Sequence, residues 1–348
     1  MKKLMLTSAL AGLVIASGAN AQTTITGEMR VTHKAISSKP SSVTTSGRGF
    51  GTEQQINFAN KGKLNVGGLD YAAGFSIEND GAQTSTIFNE NNYIDITNAS
   101  SGTTLSFSID HIQRNDSDRS AANIFGFAPS EYSSSGPSGT LMSGTPGPGV
   151  GQSQSIAILQ DVGTFGKLSY AYAPQVGDQV SDSTKQNATG QGSSEALTES
   201  NEESAYEVGF VGSLGVKGLT VEGFKSKQEK MSTAVKAEGE NIGLRYSTGP
   251  VTLGVAQKKF NDDGATKLET KEKNYGLAYA VNKDVTVGIL HATAEKTGQA
   301  VKQKLTAIQL GYNLGPVALT VGVAKNDDIG GTAGADSDMI MTRLVGAF

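Results

Sequence analysis

From Thr23 to the C-terminus, apolar side chains recur at every second position over windows of eight to twelve residues. A period of two marks half-buried β-strands and not helices, whose apolar positions recur every 3.6 residues. Ile25, Gly27, Met29 and Val31 share one face, with Thr24, Thr26, Glu28 and Arg30 on the other. Tyr71, Ala73, Phe75 and Ile77 likewise oppose Asp70, Ala72, Gly74 and Ser76. Counted to the end of the chain, the pattern predicts sixteen strands, the last over Ile340, Leu344 and Phe348.

The connectors alternate in length. Short ones fall near 61–68, 98–102, 161–164, 213–216, 247–249, 281–283 and 313–315, rich in the Gly, Asn, Asp and Ser that tight hairpins require. Long, polar ones fall at about 35–50, 79–89, 112–152, 174–203, 229–238, 260–271, 295–302 and 326–337. Seven turns on one rim, eight loops on the other and a joining of the two termini close an antiparallel up-and-down sheet without remainder. One hairpin chemistry is used twice: Tyr246-Ser-Thr-Gly-Pro250-Val resembles Tyr312-Asn-Leu-Gly-Pro316-Val, 66 residues on. In each, Pro opens the next strand, where its missing N–H does least harm.

A soluble sandwich hides its apolar faces between two sheets, whereas a membrane barrel turns its apolar face outward. Here the face opposite the apolar one is built of Gly, Ala, Ser and Thr with scattered charges, among them Arg30, Asp70, Glu78, Asp95, Glu207, Glu222, Arg245, Lys258 and Arg343. Such a face suits a water-filled lumen. Strand segments of nine to eleven residues match a tilted crossing of a bilayer. Tyr172, Tyr206, Phe210, Tyr246, Tyr275 and Tyr312 fall near strand ends, where aromatic girdles meet headgroups. The fold expected is all-β, a sixteen-stranded antiparallel transmembrane barrel with long extracellular loops and short periplasmic turns; sixteen strands leave an aqueous channel.

Composition removes other classes. There is no Cys, hence no disulfide, thiolate metal site or cysteine nucleophile, and only three His. With 29 Lys and Arg against 33 Asp and Glu, no basic surface for nucleic acid is expected. Met1-Lys2-Lys3, the apolar stretch Leu4–Ile15 and Ala19-Asn20-Ala21 read as a secretory signal, residues 1–21, cleaved before Gln22 and exported through the Sec pathway. The apolar run is too short to span a hydrocarbon core, which takes about 20 residues. Residues 22–348 form the barrel, with a net charge of −6 once Lys2 and Lys3 are removed. His111 beside Asp110 points to the opposite face of a strand, so the two do not make a catalytic pair. Asp116-x-Asp118 and Asp336-x-Asp338 have carboxylates at calcium-like spacing without the Gly and distal Glu of a full motif. They are read as solvated loop acids capable at most of weak divalent-cation binding, and no cofactor is expected.

Several stretches resemble the general diffusion porins of the Gram-negative outer membrane. Gln55-Ile56-Asn57-Phe58, the turn Gly67-Gly68-Leu69 and Tyr71-Ala-Ala-Gly-Phe75-Ser-Ile77-Glu78 look like the second and third strands of that family; Gly102-Thr-Thr-Leu105-Ser-Phe107 looks like the fifth. The chain ends in Phe348, the residue such porins use as an assembly signal to the outer-membrane barrel assembly machinery. The resemblance implies a homotrimer among outer-membrane lipids that passes small hydrophilic solutes and ions by passive diffusion. It also implies a third loop, about 112–152, folded into the lumen as a constriction. Acidic loop residues would face a basic wall there. The candidate charges are Arg114, Asp116, Asp118, Arg119 and Glu131 on the loop, and Arg30, Arg245 and Arg343 on the wall. The competing reading is a non-transporting barrel, an adhesin or structural protein acting through its loops. Those loops are mostly Ser, Thr, Gly and Asn, with few of the Tyr, Trp or Arg anchors of adhesive surfaces.

Overall fold

The computed structural model describes residues 22–38, 46–79, 81, 88–109, 122, 124–132, 141–142, 150, 154–174, 203–230, 236–262 and 268–348. They form sixteen strands: β1 (Gln22–Ser38), β2 (Gly47–Lys63), β3 (Leu69–Asn79), β4 (Phe88–Asn98), β5 (Thr103–Ile109), β6 (Ser155–Asp161), β7 (Lys167–Ala173) and β8 (Glu203–Gly212). The second half comprises β9 (Leu219–Lys230), β10 (Lys236–Thr248), β11 (Val251–Asp262), β12 (Leu268–Ala280), β13 (Val285–Lys296), β14 (Gln303–Asn313), β15 (Val317–Asp327) and β16 (Ser337–Ala347). Each strand pairs antiparallel with its sequence neighbours, and β1 pairs with β16, so the sheet is a closed up-and-down barrel.

The alternation predicted from sequence sorts the side chains as expected. Ile25, Met29, Ile56, Ile94, Ile158, Ile242, Leu253, Leu277, Ile289, Ile308 and Val323 are exposed on the outside, while Ala157, Ala171, Ala256, Ala278, Ala292 and Ala307 are buried on the inside. Tyr246 and Tyr312 lie on the outer surface close to the short turns, and Tyr172 and Tyr206 are cross-strand partners nearer the loops. Both halves of the repeated hairpin place Gly in the turn with positive φ (Gly249, 55°; Gly315, 93°) and let Pro start the next strand. The Pro250 and Pro316 carbonyls then accept from Ala280 N and Ala347 N, at the end of the strand that follows.

Strand length departs from expectation. The strands run from 7 residues in β5 to 17 in β1 and β2, against the nine to eleven that a bilayer crossing needs. The extra length carries His33, Lys34, Ser37 and Ser38, or Gly47 to Gly51, and keeps its backbone pairing although the apolar alternation has stopped. Hydrogen bonding therefore propagates the sheet past the point where hydrophobicity marks it.

Closure is sealed at the terminus. The ladder from Glu28–Ala347 to Ser38–Ser337 is continued by Gly27 N to Phe348 O and Phe348 N to Gly27 O, both 2.9 Å. The Phe348 ring lies over Gly27: a Cβ there would sit 2.4 Å from two ring carbons. Replacing Gly27 with Leu must expel the ring, at the roughly 1–3 kcal/mol typical of overpacking. The expected outcome is a lower unfolding temperature of the folded barrel, followed by loss of β-sheet circular dichroism on heating, with Gly27→Ala intermediate between Leu and the native residue.

Candidate functional site

The connector between β5 and β6 turns inward, and its described parts lie against the inner wall. Ala122 and Ile124 press on Gly276 of β12, Phe125 on Gly288 of β13, and Tyr132 on Gly322 of β15. A Cβ at these three glycines would come within 2.2, 2.4 and 1.9 Å of the loop, so the wall is hollowed one methyl group deep where the loop is seated. Phe127, Tyr132 and Leu141 then close a hydrophobic cluster with Leu290, Leu305, Ala307, Ala324, Met339 and Met341. This inner face was expected to be dominated by small residues with scattered charges. Beneath the loop it is apolar, because the loop and not water covers it.

Polar wall side chains hold the loop backbone. The buried Gln309 amide serves both sides of Phe127: Phe127 N donates to Oε1 at 2.7 Å, and Nε2 donates to Phe127 O at 2.9 Å. Asn326 Nδ2 donates to Tyr132 O at 2.8 Å. A second clamp grips Met142, whose N–H donates to the Glu272 carboxylate while its carbonyl accepts from Lys258 Nζ at 3.1 Å. Lys258 and Glu272 are cross-strand partners 3.8 Å apart with almost no side-chain exposure, and Asn274 Nδ2 donates to Glu272 Oε1 at 2.7 Å. Farther along, Val150 packs on Ala157, Ala171, Ala173 and Ala205 of β6–β8.

Between the two clamps sits a charged pin. The Glu131 carboxylate pairs with Arg343 and accepts from Ala128 N at 2.7 Å, and its carbonyl accepts from Lys34 Nζ at 2.9 Å. Arg343 Nε donates to Thr32 Oγ1 at 3.1 Å, and its guanidinium carbon stands 4.7 Å from the centre of the Phe127 ring. Burial, with the Glu131 charge beside it, pushes the Tyr132 phenol well above its ordinary range, so it stays neutral.

Of the residues singled out from sequence, the structure brings Glu131 and Arg343 into direct contact. Arg30 projects inward from β1 and is matched by Glu28 on its own strand and by Glu53 at 2.7 Å. Arg245 also projects inward, from β10, seven strands round the barrel from β1. Arg114, Asp116, Asp118 and Arg119 lie outside the described residues, as do Asp110, His111 and the segment 1–21. Asp336 accepts from Asp328 N at 3.2 Å, and among the described residues no group of three or more His, Cys, Asp or Glu could hold a metal ion.

Sequence reasoning missed Lys34, Phe127, Tyr132, Glu272, Gln309 and Asn326, and placed Lys258 inward without giving it a task. One signal was available: folding 251–262 back on 268–280 sets Lys258 opposite Glu272, an ion pair on the face assigned to the lumen. That inner face also collects carboxylates on β1–β4. Glu28, Glu53, Glu78 and Asp95 accompany one arginine, Arg30; Gln55 Nε2 donates to Glu78 Oε2 at 3.1 Å, and nearer the turns Lys63 is matched by Asp70 at 2.6 Å.

A closed barrel with an apolar exterior, a polar interior and a loop strapped across that interior is a channel for the passage of solutes through a membrane. The comparisons agree. A family model described as Gram-negative porin matches residues 7–328, and the chain belongs to that family. Among curated proteins none matches. Solved structures similar to this chain include OmpF of Salmonella typhi in complex with daunomycin, with 12% identity, 95% of this chain and 98% of that one covered, and a TM-score of 0.65. An anion-selective porin from Comamonas acidovorans is 13% identical over 94% of this chain and 100% of its own, with a TM-score of 0.61. The trimer form of in-vitro folded OmpT, an outer-membrane protein of Vibrio cholerae, is 10% identical over 94% of this chain and 100% of its own, with a TM-score of 0.61. The protein is an outer-membrane diffusion channel.

Breaking the Lys258–Glu272 clamp tests whether it positions the loop. Glu272→Gln leaves a buried ammonium without its counter-charge, a loss of about 3–5 kcal/mol for a pair of this kind. Single-channel recordings are expected to show a noisier and larger conductance. In K258M/E272L, stability returns while the Met142 peptide stays unheld, so the altered conductance persists.

Proposed function

We propose that this porin passes small hydrophilic solutes and ions by passive diffusion with a preference for cations, and that the preference is set at the inner face of β1–β4. The observation that carries this reading is the division of charge inside the barrel. The basic residues Lys34, Lys258 and Arg343 are engaged in holding the loop. Glu28, Glu53, Glu78 and Asp95 line β1–β4 with Arg30 among them, while Lys61 and Lys63 share this face only at the turn end of β2, where Lys63 is paired with Asp70. Fixed charge of one sign on a narrow aqueous wall raises the local concentration of the opposite ion and lowers the barrier to its entry. Passage makes and breaks no bond, and no cofactor takes part.

Arg30 and Arg245 temper the preference from two sides of the lumen, and Arg114, Asp116, Asp118, Arg119 and Glu131 belong to the constriction with them. Arg343 acts as the pin beneath Glu131. Three further parts of the reading draw on the family. Residues 1–21 direct export through the Sec pathway and are removed. Phe348, exposed on the outside at the closing seam, is the signal read by the barrel assembly machinery. The folded chain assembles as a homotrimer, as the similar V. cholerae protein does in its trimer form. The reading as an adhesin has no observation in its favour.

Reversal potentials of the reconstituted channel under a potassium chloride gradient test the selectivity. The native channel is expected to favour potassium. E53Q/E78Q/D95N should move the reversal potential toward chloride, and R30Q/R245Q further toward potassium. A native channel that prefers chloride, or acidic-wall variants that leave the potential unmoved, would refute the assignment.

A further inference from the structure

The outer surface of β11–β15 changes character in a single step. Going from the turns toward the loops, the last apolar outward residues are Val255, Tyr275, Ile289, Ile308 and Val323. The next outward residue on each strand is Gln257, Lys273, His291, Thr306 or Lys325, and the one after is Lys259, Lys271, Thr293, Lys304 or Asp327. Five of these ten are lysines and one is an acid, whereas the outward residues at the turn end of the same strands include Tyr279, Val285, Tyr312 and Val317. Cationic charge on the outside is thus concentrated where the hydrocarbon ends, on the loop side.

Within these two rows the register builds a specific arrangement. Thr293 lies between Lys273 on one side and Lys304 on the other, and Thr306 lies between His291 and Lys325. His291 Nδ1 and Thr306 Oγ1 are 2.9 Å apart. Lys259 and Lys271 share Glu269, at 3.0 and 2.5 Å, and Lys325 Nζ is 2.8 Å from Asp327. Cross-strand neighbours stand about 5 Å apart, so an anion resting on the two hydroxyls is within reach of ammonium groups on three strands.

We propose that Lys273, Lys304 and Lys325, with Thr293 and Thr306 between them, bind the phosphate of an anionic lipid headgroup in the loop-side leaflet. The lipid's acyl chains lie along Tyr275, Ile289 and Ile308 directly below. A lipid fits better than a soluble anion or a second copy of the chain because the cations are continuous with the apolar band. One molecule with a phosphorylated head and hydrocarbon tails satisfies both, and anionic headgroups attract basic residues at just this depth. The surface is separate from the lumen and does not depend on which ions the channel prefers.

The test uses the full folded barrel in phosphatidylcholine vesicles doped with phosphatidic acid, extracted in mild detergent and weighed by native mass spectrometry. The native protein is expected to retain phosphatidic acid in preference to phosphatidylcholine. K273Q/K304Q/K325Q should retain about tenfold less of it, Lys304→Gln should fall between, and K217Q/K283Q at the turn rim should match the native protein, all with native conductance. Equal retention of the two lipids by the native protein, undiminished retention by the triple variant, or an altered oligomeric state of that variant with lipid retention unchanged would overturn the proposal.

Discussion

An amide group in hydrocarbon has no water to turn to, and leaving its hydrogen bond unmade costs several kcal/mol. That constraint fixes more of this protein than any side-chain contact. It requires β1 to find β16, and the pairing from Glu28–Ala347 to Ser38–Ser337 does so across the whole length of the chain. Once the ring is shut, alternation has only two destinations, oil and lumen. A sequence whose apolar residues occupy little more than a third of its length can still coat a membrane-facing surface, since only every second residue needs to be apolar.

The interior is a less uniform place than alternation suggests. One part is a wall of carboxylates and amides; another is a small hydrophobic core of the kind found in soluble domains, where Leu290, Leu305 and Met339 pack against Phe127 and Tyr132. Water is excluded from that part because a loop replaces it; beneath it, both ends of the Gln309 amide bond the Phe127 peptide groups, and Asn326 donates its Nδ2 to Tyr132 O. The described part of the loop is therefore held partly as a strand is, through its backbone, and partly by the side chains of Ile124, Phe125, Phe127, Glu131, Tyr132, Leu141 and Val150.

Legibility in the sequence followed the physics of each part. Strand number, turn positions, the inward parity of Arg30, Arg245 and Arg343, and the Gly-Pro hairpins used twice could be read, because period and turn chemistry are local properties. The 17-residue span of β1 and β2 could not, since their distal halves lie beyond the hydrocarbon and nothing there imposes alternation. The seating of the loop was also hidden. Gly276, Gly288 and Gly322 look like any of the 44 glycines until the chain that crosses them is in view, and inward Leu290 and Leu305 look like lapses of pattern. Glu131 was identified as a constriction charge, but its contact with Arg343 joins positions 212 residues apart, which no local pattern reports.

Glu131 is gripped by residues from the two extremities of the barrel: Lys34 from its first strand, Arg343 from its last. The two halves meet on one residue only when these strands have zipped together. The Glu131 pin is consequently complete only when the ring exists, whereas the holds on the loop from Gln309, Asn326, Lys258 and Glu272 lie on β11–β15 and do not involve the seam. Closing the seam and pinning Glu131 are thereby coupled in free energy, each favouring the other.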